Sequence, residues 1–320
     1  MLRAHLLIRR LLLAICTLIV VTLVLFGLLH AIPGGPLRSM IGEAAGADPA
    51  AAERAEALLG LDRPPLERYA VWAAGLLRGD LGRSWVVAPG RAVGPLLLTA
   101  LANSLTLTVS ALLLALVLGS LLGVASALRP GSWVDTGLGV LSLTASGMPT
   151  FWLGMLLLIV FAVDLAWLPA GGAQTIGRGD VADRARYLVL PVLTLATAEM
   201  AAWGRYVRTA LLETLGQEHL QTARAKGLSQ GAILRTHVLP NAAPSLIGLL
   251  SLEAPGLIAG ATVTEAVFSY PGLGRLLLTS LRVYDWPLVQ GIALMLAVAV
   301  IGAGLAAEAA IALTNPRLRT

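Results

Sequence analysis

The chain alternates between long apolar runs and short polar connections. Four runs contain no charged residue, and they cover positions 11–37, 92–128, 136–163 and 286–307. Two further runs, at 187–212 and 241–264, contain one acid each, Glu199 and Glu253. Each run exceeds the roughly 20 residues that a helix needs to cross the hydrocarbon core of a bilayer. None alternates as the strands of a barrel do, so the pattern predicts an all-α polytopic membrane protein with six transmembrane helices.

Composition and charge agree with this class. The chain is 57% hydrophobic and only 13% charged, which is far from the usage of a soluble domain. Its formal net charge of +5 fits contact with an anionic inner leaflet better than binding to nucleic acid. The lipid bilayer is therefore an expected partner, and nucleic acid is not.

The distribution of arginine predicts the orientation. Arg3, Arg9 and Arg10 precede the first apolar run, which is too long for a signal peptide and lacks a clean cleavage site, so we expect an uncleaved helix. Basic residues also gather in 129–135, 205–237 and the C-terminal tail. Positive loops favour the cytoplasm, so both termini are predicted to be cytoplasmic.

Three regions follow from this topology. Residues 1–30 form the first helix, 31–94 an extended extracytoplasmic loop, and 95–320 a core with helices 2–6 and a cytoplasmic loop at about 213–239. The outer loop is expected to contain short helices over 50–59 and 64–77. We interpret it as a cap over a translocation mouth or as a surface that receives a delivery protein, and it shows no metal-ligand spacing.

The cytoplasmic loop carries the most informative pattern. Residues 217–227 are polar between two apolar runs and include the only lysine, Lys226. A helix over 217–226 would place Leu220, Ala223 and Gly227 on one small face that another protein could approach closely. Gly227 suits the left-handed position that ends a helix, and Ser229 suits the N-cap of the next helix, which Pro240 should end. An ordinary surface helix between two spans is the alternative.

Several motifs resemble one family in order along the chain. The segment 222–228, Thr-Ala-Arg-Ala-Lys-Gly-Leu, resembles the EAA loop of binding-protein-dependent ABC importer permeases, most closely the B-type subunit of the dipeptide/oligopeptide/nickel family. Supporting segments are Ala-Ile-Pro-Gly-Gly-Pro at 31–36, Gly-Asp-Leu-Gly-Arg-Ser at 79–84, Gly-Met-Pro-Thr-Phe-Trp at 147–152, Trp-Leu-Pro-Ala-Gly-Gly at 167–172, Glu-Ala-Val-Phe-Ser-Tyr-Pro-Gly-Leu-Gly at 265–274 and Asn-Pro-Arg-Leu-Arg at 315–319. Gln-Thr-Ala at 221–223 replaces Glu-Ala-Ala, and Asn315 replaces an aspartate.

The resemblance implies the type I permease fold and a coupling helix that rests on an ATPase. The residues implied in coupling are Glu218, Leu220, Ala223, Arg224, Lys226, Gly227 and Ser229. The implied partners are a second homologous permease, two cytoplasmic ATPase subunits (or one fused subunit) and an extracytoplasmic binding protein, all at the inner membrane. The chain has no Walker-type phosphate loop, so we expect no enzyme activity, no catalytic residue and no cofactor in it, with ATP and Mg²⁺ held by the ATPases.

Acids within or near the spans are candidates for the pathway. Glu199 and Glu253 are costly in hydrocarbon, so they are expected either to line a pathway or to pair locally with a neighbouring helix. Glu265, Tyr270 and Pro271 lie towards the outer end and suggest either a gate or a plain turn. No metal site is expected among them.

The transported solute is predicted to be a di- or oligopeptide, because that is the commonest cargo of the family that the chain resembles. Nickel, a metal chelate or another small solute is the alternative within the same class. A secondary transporter is the more distant alternative, although the chain shows no clear internal repeat.

Overall fold

A computed structural model describes residues 2–31, 54 and 62–314 of the chain. This part is mostly helical, as predicted, with one isolated antiparallel bridge between Arg83 and Ala92. The helices, in chain order, are α1 (Leu2–Ala31), α2 (Pro65–Leu77), α3 (Val93–Leu128), α4 (Trp133–Gly147), α5 (Thr150–Leu158), α6 (Val181–Leu215), α7 (Glu218–Ala225), α8 (Gln230–Ile233), α9 (Leu239–Val267), α10 (Leu273–Arg282) and α11 (Trp286–Thr314). π-helical segments, Ile159–Asp164 and Leu234–Val238, follow α5 and α8.

Three described helices are long and apolar enough to cross a membrane. They are α3, α6 and the part of α11 at Trp286–Ala306. The bent pair Trp133–Gly147 and Thr150–Asp164 makes a fourth if it is a single broken span. The chain is therefore a helical membrane protein.

The predicted uninterrupted span over 136–163 is wrong, because the helix breaks at Met148 and Pro149. The axes on either side of the break differ by 102°. Met148 is extended, with φ −99° and ψ 121°, and Pro149 caps the next helix. A residue that precedes proline is disfavoured in the helical region, since the proline ring meets its backbone. Gly-Met-Pro therefore ends one helix and starts another in a new direction.

The chain divides into two compact units, and each has its own core. The first unit comprises residues 1–103 and 272–301, and the second unit comprises residues 104–271 and 302–320. In the first unit, Val93, Leu97 and Ala100 of α3 pack with Leu288 and Ile292 of α11. This core joins the start of one long helix to the start of another.

A buried carboxylate organises the loop before α3 in the same unit. The Asp285 side chain is fully buried and accepts a hydrogen bond of 2.6 Å from the Ser84 hydroxyl. It also accepts hydrogen bonds from the backbone N–H groups of Trp85, Val86 and Val87 at 2.9–3.2 Å. A buried charge needs such donors to offset its lost hydration. Asp285 therefore fixes the loop against the start of α11.

The second predicted short helix of the outer loop is confirmed at α2. Pro65 occupies its first turn, where a missing N–H costs nothing. The hydroxyl groups of Tyr69 and Thr22 lie 3.0 Å apart, and the rings of Tyr69 and Phe26 pack edge to face at 5.4 Å. The predicted helix over 50–59 and the motif at 31–36 lie outside the described residues.

Close packing of α3 on α6 defines the second unit. A Cβ atom added at Gly119 would lie 2.7 Å from the carbonyl oxygen of Met200, and one at Gly123 would lie 2.5 Å from that of Gly204. Real Cβ atoms do not approach backbone so closely, so only glycine fits at these positions. The Gly-x-x-x-Gly pattern at 119–123 thus allows near-contact of two backbones, as such patterns do in membrane helices.

Pro240 does not end the helix before it, contrary to the prediction. The π-helical segment Leu234–Val238 passes directly into α9 at Leu239, so Pro240 lies in the first turn of that helix. A wider π turn accommodates a residue that has no N–H to give to the preceding turn. The Asn241 side-chain amide donates to the His237 carbonyl at 2.7 Å, which satisfies that acceptor.

Gly123→Ala is expected to destabilise the purified protein, because the new methyl group would force α3 away from α6. Overpacking of this kind costs roughly 1–3 kcal/mol. Gly139→Ala is the matched control, since nothing lies within 4 Å of an added Cβ there. Thermal unfolding in detergent measures the difference. Equal melting temperatures for the two variants would contradict the close contact.

Asp285→Asn is expected to loosen residues 84–87. The amide NH₂ would face N–H donors and one acceptor oxygen would be lost, at a cost of about 1–3 kcal/mol. Hydrogen exchange of the amides of 85–87 should accelerate by ten- to a hundredfold. Asp62→Asn, at an exposed position, should leave their exchange unchanged, and unchanged exchange in the Asp285 variant would contradict this role.

Candidate functional site

The segment between α6 and α9 forms a compact helix–turn–helix unit. Helix α7 spans Glu218–Ala225 and is followed by Gly227 in the left-handed conformation, with φ +77°. The Ser229 hydroxyl caps α8 by accepting from the N–H of Ala232 at 3.3 Å. The predicted roles of Gly227 and Ser229 in the local geometry are therefore confirmed, and both residues are exposed.

The small face of α7 is covered by the chain itself, not left open for a partner. Leu220 is fully buried and Ala223 is 6% exposed. They share one core with residues of α3, α6, α8, the following π segment and α9, namely Ala127, Val207, Leu211, Ile233, Val238 and Ala242. The expectation that Leu220 and Ala223 allow close docking of another protein is thus corrected, because their surface is already packed. They anchor α7 to the long helices.

The opposite face of α7 is polar and exposed. The exposed residues of α7 are Glu218, His219, Gln221, Thr222 and Ala225, and Lys226, which follows the helix, is exposed as well. The Arg224 side chain lies outside the described set, although its backbone belongs to α7. A helix that is anchored on one side and polar on the other can present hydrogen-bonding groups on a rigid base.

An ion pair joins α6 to the start of α4, and no motif in the sequence points to it. The Arg208 guanidinium on α6 donates to both carboxylate oxygens of Asp135 at the start of α4, at 2.5 and 2.9 Å. Ser126 of α3 donates to Asp135 at 2.5 Å, and the Gly131 N–H donates to it at 2.9 Å. This brace therefore ties three helices together. The signal in the sequence was the presence of opposite charges in two loops assigned to one side of the membrane.

A cavity of about 250 Å³ lies in the second compact unit, among α3, α4, α6 and α9. Glu199, Ala202, Trp203 and Tyr206 line it from α6, and they are spaced three and four residues apart so that they share one helix face. Leu112 and Leu116 of α3, Ala145 and Ser146 of α4 and Leu250 of α9 contribute the remaining walls together with further alanines. Glu199 thus lines a cavity, and its assignment to a pathway or to a local pairing stays a prediction.

Glu265 and Tyr270 form a buried cluster at the other end of α9. Glu265 is 1% exposed and accepts from the Ser104 hydroxyl at 2.6 Å. The backbone carbonyl of Glu265 accepts a hydrogen bond of 2.8 Å from the N–H of Tyr270. Ser269, which precedes Tyr270, has a left-handed backbone with φ +50°. Burial, aided by the charge of Glu265, raises the pKa of the Tyr270 hydroxyl. This arrangement is a strained, tightly packed turn, with Pro271 exposed beside it.

The remaining candidates do not gather into one site. Glu253 belongs to α9, but its side chain lies outside the described set. Glu199 and the Glu265 cluster contribute to separate features of the second unit. Among the described residues, no group of three or more His, Cys, Asp or Glu side chains is arranged to hold a metal ion.

Two protein-family models together match nearly the whole chain. Residues 116–320 match the family described as "Binding-protein-dependent transport system inner membrane component". Residues 1–106 match the family described as "Binding-prot-dependent transport system membrane comp, N-term". The chain belongs to this family of inner membrane transport components. The predicted membership of the ABC importer permeases is therefore confirmed.

Three relatives that are named as permeases match this chain over 97% of its length. It is 35% identical over 316 residues to the oligopeptide transport system permease protein AppB of Bacillus subtilis, covering 97% of this chain and 98% of that protein. It is 36% identical over 330 residues to the di/tripeptide transport system permease protein DppB of Pseudomonas aeruginosa, covering 97% of each. The glutathione transport system permease protein GsiC of Salmonella choleraesuis is 34% identical over 311 residues, again with 97% of each chain covered.

Solved structures support the fold of the permease. The MetNI methionine ABC transporter in inward-facing conformations matches with a TM-score of 0.55 at 20% identity, covering 69% of this chain and 96% of that chain. An amino acid ABC transporter matches with a TM-score of 0.51 at 16% identity, covering 70% and 94%. The helices of this permease therefore follow the architecture of ABC importer membrane subunits.

Ala223→Arg is expected to disrupt the helix–turn–helix unit, since a charged side chain cannot be accommodated in the shared core. The cost should be roughly 3 kcal/mol or more. Thr222→Arg, one residue away on the exposed face, should fold as the wild type does. Size-exclusion profiles after stepwise heating distinguish the two. Equal tolerance of both substitutions would contradict the burial of Ala223.

Proposed function

We propose that this permease is one of two membrane-spanning subunits of an ATP-driven importer that carries di- and oligopeptides. The observation that carries the proposal is the end-to-end similarity to permeases designated for oligopeptides, di- and tripeptides and glutathione, at 34–36% identity. In this function the chain forms half of the pathway for peptides delivered by an extracytoplasmic binding protein. It is a transport subunit with no catalytic residue of its own.

The proposed topology has six transmembrane helices with both termini in the cytoplasm. The three spanning helices and the bent pair supply four of these spans. Helices α1 and α9, with 30 and 29 residues, supply the other two, since a helix of that length extends for about 44 Å. Residues 31–94 then form the extracytoplasmic loop of the N-terminal region. The brace between Asp135 and Arg208 supports this topology, because it joins α4 and α6 at positions that the arginine distribution assigns to the cytoplasmic side.

Two cytoplasmic ATPase subunits, or one fused subunit, are proposed to drive the importer and to hold ATP and Mg²⁺. The permease chain then needs no cofactor. Its contact with one ATPase is proposed to be the exposed face of α7, with Glu218 and Lys226 as charged groups and Gly227 and Ser229 shaping the end of the contact. Arg224 is proposed as a further charged group of this contact. Leu220 and Ala223 act from beneath, by fixing α7 to the core.

The anchored face explains how a movement of the ATPase would reach the membrane. The core under α7 includes Val207 and Leu211 of α6 and Ala242 of α9. Packed interiors resist compression, so α7 cannot sink or slide without moving the helices that it contacts. A shift of the ATPase surface would thereby become a movement of α6 and α9, as a two-state coupling element requires.

The intramembrane and outer candidates complete the proposed pathway. Glu199 and Glu253 are proposed to line it, and Glu265, Tyr270 and Pro271 are proposed to form part of an outer gate. Support for the gate is the dense packing of Glu265 against Ser104 and of Tyr270 against the turn. A rigid turn at a helix end can transmit a helix movement without deforming.

The test is peptide uptake by proteoliposomes that contain the permease, its partner permease, the ATPases and the binding protein. We expect uptake of labelled trialanine only with ATP inside the compartment that the ATPases face. The double variant Thr222→Arg, Lys226→Glu should lose both the ATPase subunits on co-purification and at least 90% of the uptake. Arg129→Glu, an exposed charge reversal in another cytoplasmic loop, should retain both.

The outcomes separate the alternatives. ATP-dependent uptake of nickel or a metal chelate without uptake of peptide would show that the peptide is the wrong substrate, while the assignment as an ATP-driven importer would stand. Uptake by the permease alone along an ion gradient would favour a secondary transporter. Retention of the ATPases by the double variant would show that α7 is an ordinary surface helix.

A further inference from the structure

Two of the four histidines of the chain lie side by side in the second unit. His219 belongs to the first turn of α7, and His237 belongs to the π-helical segment Leu234–Val238 that leads into α9. Their ring centroids are 6.4 Å apart, and the ring planes meet at 64°. His219 is exposed and His237 is half-buried. Solvent and its dissolved ions can therefore reach the pair.

The backbone that carries the two rings is held by packing. Leu220 follows His219, and Val238 follows His237. Both apolar side chains are fully buried in the same core. The His237 carbonyl also accepts a hydrogen bond of 2.7 Å from the Asn241 side-chain amide. Packed interiors resist deformation, so the rings emerge next to each other at the edge of a rigid core. Such preorganisation favours a ligand that needs both rings at once.

The ring nitrogens suit a transition metal ion. Within the described part of the chain, the two rings contact each other and no hydrogen bond engages their nitrogens. Imidazole is a preferred ligand of Zn²⁺, Ni²⁺ and Cu²⁺, whereas Mg²⁺ and Ca²⁺ take oxygen ligands. A metal ion about 2 Å from one nitrogen of each ring would place the two centroids about 5–6 Å apart. The observed spacing lies just beyond this, and a small rotation of the exposed His219 side chain would close it.

We propose that His219 and His237 form a binding site for a divalent transition metal ion, which links α7 to the segment that leads into α9. The two imidazoles supply two ligands, and water completes the coordination on the exposed side. Structural zinc sites use four protein ligands, so a site with two is an exchangeable one. Glu218 and Arg235, the charged residues nearest to the pair along the chain, have opposite signs and are both exposed, so their fields largely cancel and are screened.

The site goes beyond the transport function and does not depend on which solute the permease carries. The competing explanation is that the rings only pack against each other, edge to face, as aromatic pairs do. Phenylalanine separates the two explanations, because it keeps a ring at either position but has no nitrogen to bind a metal.

The experiment titrates Zn²⁺ into the full-length permease, purified in detergent through a tag without histidine. Cys16, which is exposed, is replaced by serine throughout so that no thiol competes for the metal. Calorimetry should show one Zn²⁺ bound at this pair in the parent protein. His219→Phe and His237→Phe should each weaken binding at least tenfold, since even the partners behind a metal ligand contribute 10–100-fold to affinity. His30→Gln removes a histidine outside the pair and should bind as the parent does.

Thermal unfolding checks that the loss is not a loss of structure. Without metal, both phenylalanine variants should melt at the temperature of the parent. Above the dissociation constant, each tenfold increase in Zn²⁺ should raise the melting temperature of the parent by about 2 °C, because the ion binds only the folded chain. The same concentrations of Mg²⁺ should have no effect on any of the proteins.

Hydrogen exchange tests the link between α7 and the π-helical segment. Zn²⁺ should slow exchange of the amides of residues 221–225 at least threefold in the parent and leave it unchanged in His219→Phe. No Zn²⁺ binding by the parent, equal binding by the phenylalanine variants, or an equal response to Mg²⁺ would overturn the site. Binding that both variants lose, but that leaves the exchange of α7 unchanged in the parent, would overturn the link.

Discussion

The near-contact of α3 and α6 at Gly119, Gly123 and Gly204 is the constraint on which the second unit depends. In lipid there is little hydrophobic gain from pairing two helices, so their association relies on close van der Waals packing of small residues. Distances of 2.5–2.7 Å from an imagined Cβ to a carbonyl oxygen leave no space for any side chain. This contact fixes the spacing at which Trp203 reaches Ser120 and at which Arg208 reaches Ser126.

Helix α6 uses its faces for different purposes. One face contacts α3 through Gly204, and another lines the cavity with Glu199, Trp203 and Tyr206. Towards its end, Val207 and Leu211 enter the core beneath α7, and Arg208 pairs with Asp135. Because these roles share one helix, a change in one of them is transmitted to the others without an intermediate loop.

Local features of the chain could be read from sequence, whereas long-range partners could not. The first-turn proline of α2, the left-handed Gly227 and the cap at Ser229 follow from rules that involve a few neighbouring residues. The periodicity of Leu220 and Ala223 correctly indicated an apolar face, but it carries no information on what covers that face. The pairs that join Asp135 to Arg208 and Ser84 to Asp285 span 73 and 201 residues, and no local pattern encodes them. The break at Met148 and Pro149 was visible as a motif, yet its 102° angle depends on packing.

The distance between the core beneath α7 and the cavity bears on how the proposed coupling would act. Val207 in that core and Glu199 in the cavity are eight residues apart on α6, and Ala242 and Leu250 are eight residues apart on α9. Each separation is about 12 Å along a helix. A displacement that enters at α7 therefore reaches two walls of the cavity over equal lengths of rigid helix. The other walls, on α3 and α4, are tied to α6 by the glycine contact and by the brace at Asp135. A change in the shape of the cavity would then arise mainly from α9 moving relative to the other three helices.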